Sequence, residues 1–258
     1  MKISACLITL NEEQDLPRCL RSIAGLVDEI VVIDSGSTDS TSAVAESFGA
    51  RVIRQDWLGY VGQKNFALDA ATYPWVLSID ADEELSPELA EAIRSLRQNA
   101  GETPGGPAGY IVRRMVQFRG RWIRHGDWYP DPLVRLFRRD KARFAGGRVH
   151  ERMELQGETA LLPGHLHHFT YKDTEDRRRR IEHYAKLWAE TAYEKGKRVG
   201  PLSPALHAAV RLLRGFVLKR GFLDGAIGWD IALGNAREVW MKYQLLRTLS
   251  ARGEKPPA

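Results

Sequence analysis

Four short apolar runs, at residues 4–10, 29–34, 51–54 and 75–80, recur through the first eighty positions with stretches of different periodicity between them. That alternation limits the fold more than any other feature. The runs are rich in Ile, Val and Leu and read as strands, while residues 13–23 place Leu16, Leu20 and Ile23 on one helical face. Residues 38–48 and 60–70 fill the next intervals as helices. Ser86 and Pro87 open another through residue 96, Ser86 as the N-cap and Pro87 at the first helical position. Strands alternating with helices at this spacing imply βαβ units and a mostly parallel sheet. A chain of 258 residues holds one such α/β domain together with an extension.

The segment GETPGGPAG at 101–109 is the clearest break in this pattern. Beyond it, residues 110–118 and 133–137 read as further strands. From residue 174 the chain turns to long charged helices, divided by Pro201 and Pro204. The expected organisation is therefore an α/β domain over residues 1–173 and a basic helical extension over 174–258. Charge follows a similar division. Residues 1–109 hold 8 Lys+Arg against 17 Asp+Glu, and residues 110–258 hold 30 against 16. An acidic half joined to a basic half suits a protein that faces something anionic, either a phosphorylated substrate or lipid headgroups; basic helices that are simply solvated give the same count. Cys6 and Cys19 lie in apolar patterned segments and suit a reduced compartment without a disulfide. The opening MKISACLITLNEE turns acidic without a small-residue cleavage site, and reads as a first strand, not a leader.

In a parallel sheet, ligands collect at the carboxyl ends of the strands. Three such ends are polar here: Thr9-Leu10-Asn11-Glu12, Asp34-Ser35-Gly36-Ser37-Thr38-Asp39, and Asp80-Ala81-Asp82-Glu83-Glu84. Asp80 and Asp82, just past the apolar run WVLSI, can share a divalent hard cation, Mg²⁺ or Mn²⁺, which would bridge the pyrophosphate of a nucleotide-sugar. Acidic residues that favour the following helix N-terminus produce the same string. Asp34 can accept a hydrogen bond from a nucleobase imide, with the turn at Gly36 leaving backbone amides open. Ser37, Thr38 or Asp39 can meanwhile cap the next helix.

The ordered set ITLNEEQDLPRCLRSI, EIVVIDSGSTDST, GQKNFAL and WVLSIDADEEL resembles the signature of glycosyltransferase family 2. The resemblance continues through YPDPLVRLFRR, VHE and GFLDGAIGWDIALGNAREVWMKY, so it spans most of the chain. It is strongest to the small bacterial enzymes of lipopolysaccharide core assembly. It implies a GT-A fold, a Rossmann-like α/β domain with a mostly parallel mixed sheet and a C-terminal helical extension. It also implies inverting, metal-dependent transfer of a hexose from a UDP-glucose-like donor to a lipid-linked saccharide, at the cytoplasmic face of the membrane. Under the resemblance Thr9, Asn11, Glu12 and Gly36 line the nucleotide pocket with Asp34 at the base, Lys64 reaches the diphosphate, Asp80 belongs to the nucleotide-sugar-binding set, and Asp80 with Asp82 holds the metal. Glu151 falls on the position of the catalytic base, with His150 where the family commonly has an acid; Asp131 in WYPDP is the alternative base. For Glu151 a surface ion pair with Arg148 or Arg152 is the competing reading.

Other strings carry less. His165, His167 and His168 have no Cys or acidic partner at zinc-ligand spacing, and His168 is either a third metal ligand or a structurally bonded histidine. The run Arg177 to Arg180 lacks interleaved aromatics, which argues for a solvated or phosphate-facing helix surface and against nucleic acid as partner. Leu206, Val210, Leu213 and Val217 form a helical stripe among Arg211, Arg214, Lys219 and Arg220, well short of the roughly 20 apolar residues of a membrane span. Such a helix docks peripherally on an anionic membrane or packs against protein. Two other classes compete: a sugar-phosphate nucleotidyltransferase, which needs a Gly-rich basic loop where LNEEQD stands, and a noncatalytic nucleotide-sugar or membrane-binding module.

Overall fold

Strand β1 (Ile3–Thr9) is buried along nearly its whole length, as a central strand covered on both faces must be. A computed structural model of the chain describes residues 1–99, 106–146, 151–171 and 174–252. Helix α1 (Leu16–Ile23), β2 (Glu29–Asp34), α2 (Thr41–Ser47), β3 (Arg51–Arg54), α3 (Gly59–Ala70) and β4 (Trp75–Ser78) follow β1, and the strands pair in parallel in the order β3-β2-β1-β4. The two-residue period of β1 sends Ile3, Ala5 and Leu7 into a core with Leu16, Leu20 and Ile23 of α1. Cys6 goes to the opposite face, into a core with Ala67 and Leu68 of α3. Burial pushes the Cys6 thiol up to about 12, so it stays neutral and donates to the Ala67 carbonyl at 3.4 Å. Both cysteines are free and buried.

Two helices begin three residues later than their periodicity predicts. The amides of Glu12 and Glu13 donate to Thr41 Oγ1 and Asp39 Oδ2. Asp39 Oδ1 in turn accepts from the Thr41 amide at 3.0 Å. The segments before α1 and α2 thus spend their polar groups on each other and cannot join the helices.

After β4 come β5 (Glu83–Leu85), α4 (Pro87–Asn99), β6 (Gly109–Phe118), β7 (Arg121–Trp122), β8 (Asp131–Arg138), β9 (Ala142–Gly146), β10 (Glu151–Leu155) and β11 (Thr159–His168). The sheet continues past β4 as β8-β6-β11-β5, with β8 antiparallel to both neighbours and β5 antiparallel to β11. Its parallel part is thus confined to four strands. Strands β9 and β10 form a separate antiparallel pair. Ser86 caps α4 as expected, its Oγ accepting from the Leu89 amide at 3.2 Å and from the His165 amide at 3.1 Å.

The described chain divides into two compact units that are not a single cut: Met1–Arg114 with Asp131–His168, and Met115–Pro130 with Phe169–Ala258. The second contains α5 (Thr174–Glu194), α6 (Ser203–Leu213), a π-helical turn (Arg214–Leu218), a 3-10 turn (Gly221–Asp224) and α7 (Gly225–Arg252). Helices α5 and α7 meet through Ala189, Ala192, Tyr193 and Leu246. A second cluster joins Phe118 and Ile123 to Ile231. Arg177 departs from the solvated reading of its run. It is buried, lies over the rings of Phe118 and Trp128 at 5.1 and 5.0 Å, and donates to the Ile231 carbonyl at 3.1 Å. Among the described residues no helix is long and apolar enough to cross a membrane.

Candidate active site at the strand ends

Thr9 and Asp34 are level neighbours in the β1–β2 register, so their side chains close the same edge of the sheet. Thr9 Oγ1 donates to Asp34 Oδ1 at 3.2 Å, Ser37 Oγ donates to the same oxygen, and the amides of Gly36 and Ser37 donate to Oδ2 at 3.0 and 2.8 Å. These four donors take up the lone-pair directions of one carboxylate. Asp34 thus braces its own turn, at the strand end where the sequence reading places a base-binding carboxylate. The turn needs Gly36, whose φ is +98°. Asn11 sits across from it in the left-handed region at φ +56°, its amide on Ser37 Oγ and its Oδ1 accepting from the Thr38 amide at 2.8 Å. The loops after β1 and β2 are thereby bound into one polar rim carrying Asn11, Glu12 and Gly36.

A second cluster forms where β4 runs out. Lys64, buried on α3, lies 3.2 Å from Asp80 Oδ1 and 3.2 Å from Glu151 Oε1. Asp80 Oδ2 accepts from Arg135 Nη2 at 2.8 Å, and the same nitrogen donates to Glu83 Oε1 at 2.6 Å. Glu83 Oε2 accepts from the Asp80 amide at 3.0 Å, which fixes the turn. Burial opposes ionisation of Asp80, but Arg135 and Lys64 outweigh it and hold the carboxyl well below its ordinary range. Glu83, fully enclosed, is pushed up by burial and by Asp80, against the pull of Arg135. Lys64 thus joins Asp80 to Glu151, two residues that lie 71 positions apart in sequence. Glu151 pairs with Lys64, and Arg152 pairs with Glu154 at 2.7 Å. Asp131 reaches this cluster only through Arg114, whose Nε and Nη2 hold its Oδ2 at 2.9 and 2.8 Å and whose Nη1 lies 3.5 Å from Glu83 Oε1. His150 and Arg148 lie outside the described residues.

The antiparallel register of β11 on β5 sets His168 opposite Glu83, and so beside the turn that carries Asp82. His168 Nε2 lies 3.2 Å from Asp82 Oδ2. A carboxylate oxygen next to an imidazole nitrogen is a donor pair that Mn²⁺ accepts. Asp80 is placed differently, with one cation on each oxygen. Among the described residues no group of three or more His, Cys, Asp or Glu side chains is arranged to hold a metal ion. The residues that sequence reasoning passed over are Glu83, Arg135 and Arg114. Arg135 carried a signal: a lone charge inside the apolar strand LVRLF, which is affordable in a sheet interior only with a buried acid as partner.

The family described as Glycosyl transferase family 2 matches residues 4–138. The lipopolysaccharide core biosynthesis glycosyltransferase LpsC of Rhizobium meliloti is 34% identical over 259 residues, covering 95% of this chain and 94% of its own length. A glycosyltransferase of Rickettsia typhi is 30% identical over 260 residues, covering 97% of this chain and 88% of its own. In fold, the chain aligns over 100% of its length and 93% of the other with S. aureus TarS 1-349 in complex with UDP-GlcNAc, at a TM-score of 0.50 and 15% identity. The nucleotidyltransferase and noncatalytic alternatives fall away with these matches. The chain belongs to glycosyltransferase family 2 and is a glycosyltransferase of GT-A fold.

Proposed function

We propose that the protein transfers a hexose, with inversion, from a UDP-glucose-like donor to a lipid-linked saccharide of cell-envelope glycan synthesis, working at the cytoplasmic face of the membrane. The observation that carries the reading is the Lys64 bridge, which holds Asp80 and Glu151 at 3.2 Å each from one ammonium group. The relationship to LpsC supports a lipopolysaccharide-core or related acceptor. In this reading the rim of Thr9, Asn11, Glu12 and Gly36 receives the nucleotide, with Asp34 keeping its turn in shape. Asp82, with His168 beside it and Asp80 as the second carboxylate of the motif, would hold a divalent cation. That cation, when bound, supplies positive charge to the departing diphosphate. Lys64 adds a second positive charge on the same side.

The acceptor hydroxyl oxygen forms the new bond to the anomeric carbon as the bond from that carbon to the diphosphate breaks. The hydroxyl proton passes to a Glu151 carboxylate oxygen, and one displacement inverts the centre. Glu151→Gln should keep UDP-sugar affinity within about threefold while slowing transfer at least about a hundredfold. Titration calorimetry and a transfer assay measure the two effects. If Asp131→Asn gives that pattern and Glu151→Gln does not, the base is Asp131.

A further inference from the structure

The second unit presents an apolar face that nothing in its own packing covers. Leu206, Val210 and Leu213 lie at successive turns of α6, and Leu206 and Val210 are 62% and 57% exposed. The face continues through Val217 in the π-helical turn to Phe222 and Trp229, all exposed. Phe216 ties these elements together, its ring 6.3 Å from Phe222 and 5.1 Å from Trp229. Helix α6 meets α7 through its other side. A contiguous apolar face of this extent marks a site of association.

Charge decides what associates there. Residues 195–223 contain seven Lys or Arg and no Asp or Glu. Three of these cations, Arg211, Arg214 and Lys219, converge on Asp127, which is 2% exposed, at 3.0, 4.0 and 3.4 Å. One carboxylate neutralises one of the three. Arg214, Lys219 and the neighbouring Arg220 remain exposed at the edge of the apolar face. Arg211 and Lys219 are therefore held against the fold by Asp127, while Arg214, at 4.0 Å and half exposed, reaches solvent. A second copy of this chain would bring the same cation-rimmed face against itself, setting like charges together as the apolar surfaces close. An anionic bilayer has the opposite sign, and it accepts apolar side chains below the headgroups while Lys and Arg stay among the phosphates.

We infer that α6, the π-helical turn and the start of α7 form an interfacial docking element that inserts Leu206, Leu213, Phe222 and Trp229 into an anionic lipid surface. This deepens the reading of a lipid-linked acceptor. It is tested without donor or acceptor, so its failure and the failure of the transfer reading are separate results. The full-length chain is floated with phosphatidylcholine vesicles, with and without phosphatidylglycerol, at low and high salt. The wild type should float with the anionic vesicles at low salt and less at high salt.

Leu206→Gln, Val210→Gln and Leu213→Gln together should reduce the bound fraction at least about tenfold with an unchanged melting curve, since these side chains are exposed. Arg214→Gln with Arg220→Gln leaves Arg211 and Lys219 on Asp127 and should bring low-salt binding down to the wild type's high-salt level. Should the triple variant fold poorly, lipids brominated in the acyl chain provide the second measurement. They should quench wild-type tryptophan emission, and Trp229→Phe should remove part of that quenching. Three results overturn the inference: no flotation of the wild type at low salt, equal binding to neutral vesicles, or a wild-type dimer that the triple variant converts to monomer without change in vesicle binding.

Discussion

Glu29 shows how a single carboxylate is used at the end of the sheet away from the site. It accepts from Ser4 Oγ at 2.6 Å, from the Thr72 amide and hydroxyl at 2.8 Å each, and from Arg51 at 2.9 Å. Burial raises its pKa, but these bonds outweigh burial and bring it down to about 2 from 4.5. The group is charged in both folded and unfolded states above about pH 4.5, so its full contribution is present there and is lost as pH falls toward about 2. The shift corresponds to on the order of 3 kcal/mol. Glu29→Gln should therefore destabilise the protein by about 2–3 kcal/mol near neutral pH, with the difference from wild type shrinking to near zero at about pH 2. Denaturant melts across that range measure it. At this same scale, Asp80, Lys64 and Glu151 were legible because the family motifs place them. Asp34 was legible as a strand-end acid, but its partners were not, because they depend on a turn conformation that residue spacing does not encode. Glu83 and Arg135 were hidden among neighbours that read as a helix lead-in and a strand.

The β4–β5 turn and strand β11 make up the element on which the proposed metal dependence rests. Sequence periodicity found the four parallel strands, since a strand buried on both faces is a near-continuous apolar run. It missed β9, β10 and β11, whose apolar residues are diluted by Arg, Glu, Gly and His; β9 and β10 pair with each other, while β11 pairs with β5, which is remote in sequence. That miss mattered, since only the β11 register brings His168 to Asp82. Asp82→Ala should leave the ligand-free melting temperature nearly unchanged, because this half-buried carboxylate contributes little to the core. It should abolish the extra stabilisation that Mn²⁺ gives in the presence of UDP, which for a ligand at about a hundred times its Kd is roughly 2.7 kcal/mol. Thermal shift with UDP, with and without Mn²⁺, measures this. A Mn²⁺ effect equal to that of the wild type would remove Asp82 from the donor site.

On the scale of the whole chain, the charge asymmetry seen in the sequence follows the two units. The first holds 17 Lys+Arg against 22 Asp+Glu, and the second 21 against 11. Each unit also has its own apolar clusters, so the proposed donor site and the proposed docking element draw on separate packing. Gly228 tests that separation. It lies in the first turn of α7, and a Cβ there would be driven into the Gly221 carbonyl oxygen, with Asp224 Cβ at 3.1 Å. Backbone is the obstacle, so no rotamer change relieves it. Gly228→Ala should force α7 away from the 3-10 turn at a cost of about 1–3 kcal/mol, typical of overpacking at a site that cannot yield. For a unit of this size that lowers its melting transition by about 5 °C or more. The displaced turn carries Phe222, so vesicle docking should weaken with it. The UDP-dependent shift of the first unit should persist, because none of its binding residues lies in the altered segment. Calorimetry with and without UDP, set beside vesicle flotation, measures all three. Loss of the UDP response together with docking would mean that the two units unfold as one, and that their functions cannot be separated by mutation.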